Sequence, residues 1–291
     1  MRHPGWRAAT AALLLAGLVG CAAPVPEPAA ASVPGAVSAA PTPAAPAPAA
    51  RAAGPLRVLQ LNLCNSGIAA CYSGRSIAAA AALLRAEAPD LVTLNEVCGD
   101  DVPVLERALA GAVPGGGVFS AFQPARDGQT GRPYRCRNGQ EYGVGLVSRW
   151  PAAPGPANAG IYPAQDPDDP EQRAWLCHDV AAPAPFAACT THLAYTRRAV
   201  TAAQCRHLFG TVVAGLRARD GAGPVVVAAD LNLDADDAEL RDCVPPGAAR
   251  ADDRGPQHVV ATGGLAVDDR RLIDLRGVTD HPGLLVRLVA G

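Results

Sequence analysis

VVVAADLNLDADD, residues 225–237, is the stretch that decides the fold. It opens with five apolar residues, 225–229, which predict a buried strand. Asp230 and Asn232 follow directly. Polar side chains in this position are often simple turn formers, but they are also typical of a reactive site at a sheet edge. The apolar lead-in favours the site.

The same pattern recurs along the chain. Apolar, β-rich runs predict strands at 56–61, 91–94, 144–147, 175–180, 186–191, 225–229, 258–261 and 284–288. Helices are fewer and are predicted at 76–86, 102–109 and 201–217. Because helices do not alternate strictly with strands, we expect an α/β sandwich of two sheets with helices outside, not a doubly wound sheet.

Polar candidates stand at five strand ends. They are Asn62, Asn95 with Glu96, His192, Asp230 with Asn232, and Asp280 with His281. If these ends converge, they form a cluster of carboxylates, amides and two imidazoles, which is the composition that Mg²⁺-assisted phosphoryl chemistry needs.

Six blocks of sequence carry a resemblance to a known family. They are VLQLNLC (58–64), PDLVTLNEVC (89–98), EYGVGLVSRW (141–150), CTTHLAYT (189–196), VVVAADLNLDADD (225–237) and TDHPGLLVRL (279–288). In this order they resemble the endonuclease/exonuclease/phosphatase family, which includes DNase I, and they are spread over nearly the whole length of residues 55–291. The resemblance implies a four-layer α/β sandwich, with two mixed sheets packed face to face and helices outside.

The resemblance also implies a metal site. Glu96 would hold a divalent cation, with Asn62 beside it and Asp280 helping to hold metal or water. The expected ion is Mg²⁺, with Mn²⁺ or Ca²⁺ as alternatives, because hard cations prefer oxygen ligands.

Four further residues would carry the chemistry. Asp230 and Asn232 would position and activate the attacking water and bind the scissile phosphate. His192 and His281 would contact phosphate oxygens and exchange protons, which imidazole does near neutral pH.

Three positions depart from the family's pattern. Ala229 stands where glycine is usual, and Asn95 stands where glutamine is common. In GPQHVVAT (255–262), Gln257 replaces an aspartate that normally orients the closing histidine, His281. Since glutamine brings no charge, activity is expected to be lower or shifted in pH, and Gln257→Asp is expected to raise it.

Net charge argues against a protein that grips nucleic acid by bulk electrostatics. The chain has no lysine, so all 25 basic residues are arginine. Without the three arginines and the glutamate of residues 1–54, 22 arginines face 26 acids, a formal charge of −4. Arg132, Arg135 and Arg137 form a candidate substrate-contacting loop, since arginine binds phosphate in bidentate fashion; a solvated surface loop is the alternative.

Function remains open between two classes. The first is a phosphodiesterase acting on nucleic acid or a phospholipid headgroup. The alternative is a surface binding module that retains the fold and has lost turnover, an interpretation that Gln257 supports. The substrate itself is not readable from the sequence, and we expect a monomer.

Cysteine count indicates an oxidising compartment. Apart from Cys21 there are eight: Cys64, Cys71, Cys98, Cys136, Cys177, Cys189, Cys205 and Cys243. An even number in an exported chain predicts disulfides, although eight cysteines allow 105 pairings. Cys64 with Cys71 would close one short loop, and Cys177 with Cys189 could join neighbouring strands, which leaves Cys98–Cys136 and Cys205–Cys243. A structural zinc site is less favoured, because the chain contains no CxxC pair.

The N-terminus predicts export. Arg2 and Arg7 precede an apolar run, 8–20, that is too short to span a bilayer and ends at Cys21. We interpret residues 1–20 as a lipoprotein signal peptide and Cys21 as the lipidated residue, with an ordinary signal peptide as the alternative. Residues 21–54, rich in alanine and proline, are expected to be a disordered tether, and residues 55–291 the folded domain. The protein is therefore expected on the outer face of the membrane, held only by its lipid, or secreted.

Overall fold

The computed structural model describes residues 54–291, so the predictions for the signal peptide, Cys21 and the tether lie outside the described residues. The strands are β1 (Leu56–Asn62), β2 (Leu91–Cys98), β3 (Phe119–Pro124), β4 (Arg126–Asp127), β5 (Tyr142–Ser148), β6 (Asn158–Ile161), β7 (Glu171–Gln172), β8 (Ala174–Val180), β9 (Phe186–Thr191), β10 (Val225–Asp230), β11 (Ala249–Asp252), β12 (Gln257–Ala261), β13 (Leu265–Ile273) and β14 (Gly283–Ala290).

Helices connect the strands on the outside. They are α1 (Ser76–Glu87), α2 (Asp101–Ala112), α3 (Arg198–His207), which continues through a π-helical segment (Leu208–Val213) into α4 (Ala214–Arg217), and α5 (Ala238–Cys243). No helix within residues 54–291 has the length and apolarity needed to cross a membrane.

Two six-stranded mixed sheets form the centre of the fold. Their strand orders are β13-β14-β1-β2-β5-β3 and β11-β12-β10-β9-β8-β6, and β4 pairs separately with β7. Each sheet has one parallel pair near its middle, β1 with β2 and β9 with β10, among antiparallel neighbours.

Three apolar cores separate four layers. The first lies between the two sheets and includes Val58, Leu146, Leu176 and Val226. The second packs α1 and α2 on one sheet, and the third packs the long helix and α5 on the other. This arrangement confirms the predicted four-layer sandwich, since each sheet buries one face on its partner and the other on helices.

All eight predicted strands are present, because each is an apolar run that the sandwich buries. The sequence analysis missed strands at the sheet edges, where burial is incomplete. The clearest case is β13, whose residues 268–271 are exposed acids and arginines. Such an edge strand pairs through its backbone with β14, and its side chains give no periodic signal.

Four disulfides form: Cys64–Cys71, Cys98–Cys136, Cys177–Cys189 and Cys205–Cys243. The predicted pairing is therefore confirmed. Cys177 and Cys189 face each other in the β8–β9 register, so this bond joins neighbouring strands as expected. Because all eight cysteines of the domain are paired with one another, they provide no thiolate for a structural zinc site.

Candidate active site

The two parallel pairs bring the predicted residues together. In the β1–β2 register Asn62 stands opposite Asn95, and Glu96 follows. In the other sheet a parallel bridge joins His192, just after β9, to Asp230 at the end of β10. Parallel strands end at the same sheet edge, and the two edges face each other across the sandwich. Asp280 and His281 arrive beside them because β14 pairs antiparallel with β1.

Asp230 is the centre of the cluster. Its Oδ2 atom lies 3.0 Å from the Asn62 amide nitrogen and 3.8 Å from the Nε2 atoms of both His192 and His281. The same Asn62 nitrogen is 3.0 Å from Oε1 of Glu96. Thus one amide group donates to two carboxylates that come from different sheets.

Asn62 presents its nitrogen to the site and not its oxygen. The side-chain oxygen accepts a hydrogen bond from the Cys64 backbone N–H at 3.2 Å. A backbone N–H can only donate, so this contact fixes which end of the amide faces the carboxylates. In this geometry Asn62 holds the Glu96 and Asp230 carboxylates in place and turns its own side-chain oxygen away from them.

Two site residues have unusual backbone conformations. Glu96 has φ of 56° and Asn232 has φ of 50°, both in the left-handed region that non-glycine residues rarely adopt. Asn232 is held there by hydrogen bonds from its backbone N–H to Asp230 and from its side-chain amide to the Leu193 carbonyl at 2.7 Å. Such strain at a cluster of polar residues is typical of functional sites.

Asn95, which replaces the family's glutamine, joins the two sheets. It is fully buried, its side-chain oxygen accepts from the Asp230 backbone N–H at 2.9 Å, and its nitrogen donates to the Thr191 carbonyl at 2.8 Å. Through this one amide, β2 is bonded to the ends of β9 and β10. Asn95 therefore places a bridging amide at the base of the site.

His192 is held in one tautomer by Arg173. A guanidinium nitrogen of Arg173 lies 3.1 Å from Nδ1 of His192, and since arginine can only donate, Nδ1 must be the acceptor. The proton of the neutral ring is then on Nε2, which faces Asp230. Burial, together with the nearby charges of Arg173 and His281, holds the pKa of His192 well below its usual value. His192 is thus a neutral hydrogen-bond donor.

Arg173 and its acidic partners were missed by the sequence analysis. Arg173 is buried and forms ion pairs with Asp169 at 3.0 Å and Glu171 at 3.3 Å. Burial raises the pKa of Glu171 to about 7, against the opposing effect of Arg173. The stretch DPDDPEQR, 166–173, shows no helix or strand period, so only an arginine close to several acids could have drawn attention to it.

A cleft of about 470 Å³ opens over this cluster. Five acidic side chains line it against a single guanidinium, that of Arg173; the acids are Glu96, Asp169, Glu171, Asp230 and Asp280. Burial raises the pKa of both Glu96 and Asp230. A site this acidic repels a phosphate ester unless a cation is bound, and its oxygen donors suit a hard divalent ion. The residues therefore fit Mg²⁺, with Glu96 and Asp280 as the groups that would hold it.

Asp280 lies beside a disulfide. One of its carboxylate oxygens and the sulfurs of Cys64 and Cys71 are all within 4.8 Å of one another. Because the sulfurs are bonded to each other, this group is not a metal site. The disulfide instead borders the cleft through Cys71. His281 also lines the cleft, and its Nε2 atom is 3.8 Å from Oδ1 of Asp280.

Gln257 does not orient His281, contrary to the expectation from the sequence. Its side-chain nitrogen donates to the Asp253 carboxylate at 2.9 Å and to the Pro282 carbonyl at 2.8 Å. Its oxygen accepts from the Asn62 backbone N–H at 3.1 Å. Within residues 54–291 no hydrogen bond joins this amide to the His281 ring. The amide nitrogen is instead committed to the Asp253 carboxylate and to the backbone carbonyl of the residue after His281.

The predicted arginine loop lies outside the cleft lining. Arg132, Arg135 and Arg137 are exposed, and the same loop sends Tyr134 into the cleft. The Cys98–Cys136 disulfide ties this loop to the end of β2. Whether these arginines contact a substrate that extends beyond the cleft stays a prediction.

The sandwich and its cluster of carboxylates and imidazoles define a DNase I-like fold. The chain belongs to the endonuclease/exonuclease/phosphatase family, whose model matches residues 59–281. This match confirms the family predicted from the six sequence blocks. Members of this family are hydrolases that act on phosphoester bonds.

Solved structures share the fold at low sequence identity. An endonuclease/exonuclease/phosphatase from Beutenbergia cavernae is 23% identical, with a TM-score of 0.63 over 83% of this chain and 72% of that one. The human Nocturnin catalytic domain with bound sulfate is 14% identical, with a TM-score of 0.59 over 81% and 95%. ANGEL2, a 2′,3′-cyclic phosphatase, is 12% identical, with a TM-score of 0.57 over 80% and 95%. No curated protein sequence matches at a significant level.

Proposed function

We propose that the protein is a divalent-cation-dependent phosphodiesterase that acts outside the cytoplasm. The observation that carries this proposal is the convergence on Oδ2 of Asp230, where Asn62, His192 and His281 each place a nitrogen within 3.8 Å. The sheet topology brings these residues from separate strand ends to one carboxylate oxygen, an arrangement typical of a catalytic cluster. Family membership supports phosphoester chemistry, and ANGEL2 is a phosphatase of the same fold.

Metal binding is assigned to the carboxylates. Glu96 and Asp280 would hold Mg²⁺, or Mn²⁺ or Ca²⁺ in its place, while Asn62 keeps Glu96 oriented through its amide hydrogen. When bound, the cation supplies charge neutralisation at the phosphate oxygens. The acidic lining of the cleft makes this neutralisation a condition for binding any phosphate ester.

Asp230 is the proposed base. Burial raises its pKa, so the ionised carboxylate is a better proton acceptor than an exposed aspartate. The attacking water would give its proton to Asp230, with Asn232 fixing the orientation of that carboxylate through a backbone N–H at 3.1 Å.

The two histidines have different tasks in this scheme. His192 donates its Nε2 proton in a hydrogen bond to a phosphate oxygen, since Arg173 occupies Nδ1 and disfavours the charged ring. His281, on the other side of Asp230, is left to transfer a proton at the leaving-group oxygen. The sequence suggested that both histidines exchange protons. In this scheme only His281 does so.

Hydrolysis of bis(4-nitrophenyl) phosphate by the purified, oxidised protein tests the proposal. Turnover with Mg²⁺ should stop after EDTA treatment and return when Mg²⁺ is restored. His192→Ala should lower kcat by about 100- to 1,000-fold, the usual effect of removing one donor to a developing charge. His178→Ala is the matched control, because that histidine packs on Phe119 away from the cleft.

Two results would count against parts of this scheme. A rate that survives EDTA would remove the metal from the mechanism. If the wild type binds Mg²⁺ but hydrolyses no phosphodiester or phosphomonoester, the protein is better described as the binding module that the sequence left open.

Location outside the cytoplasm is supported by the signal-like N-terminus and by four disulfides. Cells fed a labelled fatty acid should incorporate it into the wild type and not into Cys21→Ala. Unlabelled wild-type protein in the medium would exclude the lipid anchor and leave secretion.

A further inference from the structure

Tyr195 is the most exposed large apolar side chain in residues 54–291. It is 69% exposed, against 51% for Ile68 and 43% for Tyr72, and it lines the cleft three residues after His192. A single exposed apolar side chain on a protein surface needs no explanation. Tyr195, however, lies at the mouth of the cleft that holds the candidate active site, and this position calls for an explanation.

The loop beneath Tyr195 is held firmly. The Ala194 backbone N–H donates to the Gln204 side chain at 2.8 Å, and the Ala194 carbonyl accepts from the Thr201 hydroxyl at 2.6 Å. On the other side the Thr196 hydroxyl donates to Asp166. The ring is therefore presented to solvent by an anchored backbone and is not simply carried by a loose loop.

Arg173 fixes the ring relative to the phosphate site. Its guanidinium carbon lies 5.7 Å from the centre of the Tyr195 ring, and the same guanidinium bonds to His192. A cation against an aromatic face restrains the ring and leaves the rest of it, which is exposed, to meet a ligand. An aromatic group of the substrate stacked there would stand next to the phosphate that His192 contacts.

Tyrosines are concentrated in this cleft. The whole chain has only five, and three of them, Tyr134, Tyr142 and Tyr195, line it. The aliphatic side chains of the lining, within the described chain, are Ile68, Ala69 and Pro170, which offer no continuous surface for an acyl chain. A flat ring with polar edges suits a wall of tyrosines, acids and arginine better than a lipid tail does.

We propose that Tyr195 stacks on an unpaired nucleobase beside the scissile phosphate, which makes single-stranded nucleic acid the substrate class. This inference rests on the proposed phosphodiesterase function. In a duplex each base is already stacked and paired, so a lone tyrosine in a concave cleft reaches a base only in a single strand or at a frayed end.

Binding of labelled octanucleotides, followed by fluorescence anisotropy with Mg²⁺, tests the inference. The His192→Ala variant is used as background so that the strand survives. A single strand should bind about tenfold more tightly than an abasic strand with the same phosphates, as expected for one stacked base. Adding Tyr195→Ala should abolish this preference and Tyr195→Phe should keep it. Tyr72→Ala, an exposed tyrosine outside the cleft lining, is the matched control.

The outcomes separate this inference from the proposed function. A base preference without hydrolysis by the wild type would sink the phosphodiesterase and keep the nucleobase site. Hydrolysis with equal affinity for base-containing and abasic strands, or for single and double strands, would keep the phosphodiesterase and exclude the nucleobase site. If phosphatidylcholine vesicles compete with the strand and Tyr195→Ala relieves the competition, the ring serves a phospholipid and the inference is wrong.

Discussion

The substitution Gln257→Asp is expected to have opposite effects on activity according to the family resemblance and according to the structure. By resemblance to the family, aspartate at this position should restore an orienter for His281 and raise activity. The structure predicts the opposite. Gln257 is fully buried, and its amide nitrogen serves both the Asp253 carboxylate and the Pro282 carbonyl. Aspartate has no N–H to donate, so both acceptors would lose a partner while a second carboxylate is buried next to the first.

The size of the effect follows from those two contacts. A buried acceptor left without its donor costs about 1–3 kcal/mol. The Pro282 carbonyl is only partly buried and the Asp253 carboxylate keeps the backbone N–H donors of Gly255 and Gln257, so the two losses together lower the free energy of unfolding by about 1–3 kcal/mol. The repulsion between carboxylates adds to this loss unless one of them takes up a proton. Activity should fall as well, because the Pro282 carbonyl anchors the backbone directly after His281.

Urea unfolding with intact disulfides, followed by tryptophan fluorescence, measures the change in stability. The double variant Asp253→Asn/Gln257→Asp is the control, because it restores one amide opposite one carboxylate and should recover at least half of the loss. The opposite outcome is a Gln257→Asp variant that matches the stability of the wild type within about 0.5 kcal/mol, the range of a neutral surface substitution, and hydrolyses the diester faster. His281 would then be oriented from position 257, as the family resemblance implies.

Three further predictions concern the groups around the cleft. Nitrogen-15 spectra of the imidazoles should show His192 as the Nε2–H tautomer between pH 5 and 8, and Arg173→Met should abolish this fixed state; a charged His192 ring at pH 7 would contradict us. Because burial raises the pKa of Glu171 from 4.5 to about 7, the stability it contributes is complete below pH 4.5 and is lost as the pH rises through about 7. In the Glu171→Gln variant, the free energy of unfolding should therefore fall less between pH 5 and 8 than in the wild type, by at most about 3 kcal/mol. An equal fall in both proteins would exclude a raised pKa for Glu171. Finally, the eight cysteines of the domain should show no free thiol in the denatured, unreduced protein, and two or more would disprove the pairing.

Sequence patterns predicted the parts of the fold that are buried. Strands such as β10 are recognisable because every residue is apolar up to the polar end, and Asp230 stands out for that reason. Edge strands such as β13 carry charges on both faces and exist only because a neighbour offers a free edge. The four-layer order was accessible through the resemblance, since the apolar runs alone do not specify which strands pair.

The candidate site likewise contains residues that the sequence predicted and residues that it did not. Asp230 and His192 were predictable because each ends a buried strand. Arg173 was not, since its importance arises from contacts with residues distant in sequence and from burial that no local pattern reports. The role of Gln257 was misjudged because the position was compared with the family one residue at a time, while its amide is bonded to Asp253 and to the Pro282 carbonyl, contacts that no local pattern reports.

Charge distribution indicates how an acidic domain would bind the polyanionic substrate proposed above. The domain carries a formal charge of −4, and its cleft is itself rich in acids. Under the proposed function, attraction for phosphate would be local, from a cation held by Glu96 and Asp280 and from the hydrogen bond of His192. Long-range steering should contribute little, so binding should depend weakly on monovalent salt and strongly on the divalent ion. A strand held in this way needs a second source of affinity next to the phosphate, and an exposed aromatic ring anchored beside His192 provides one that salt does not screen.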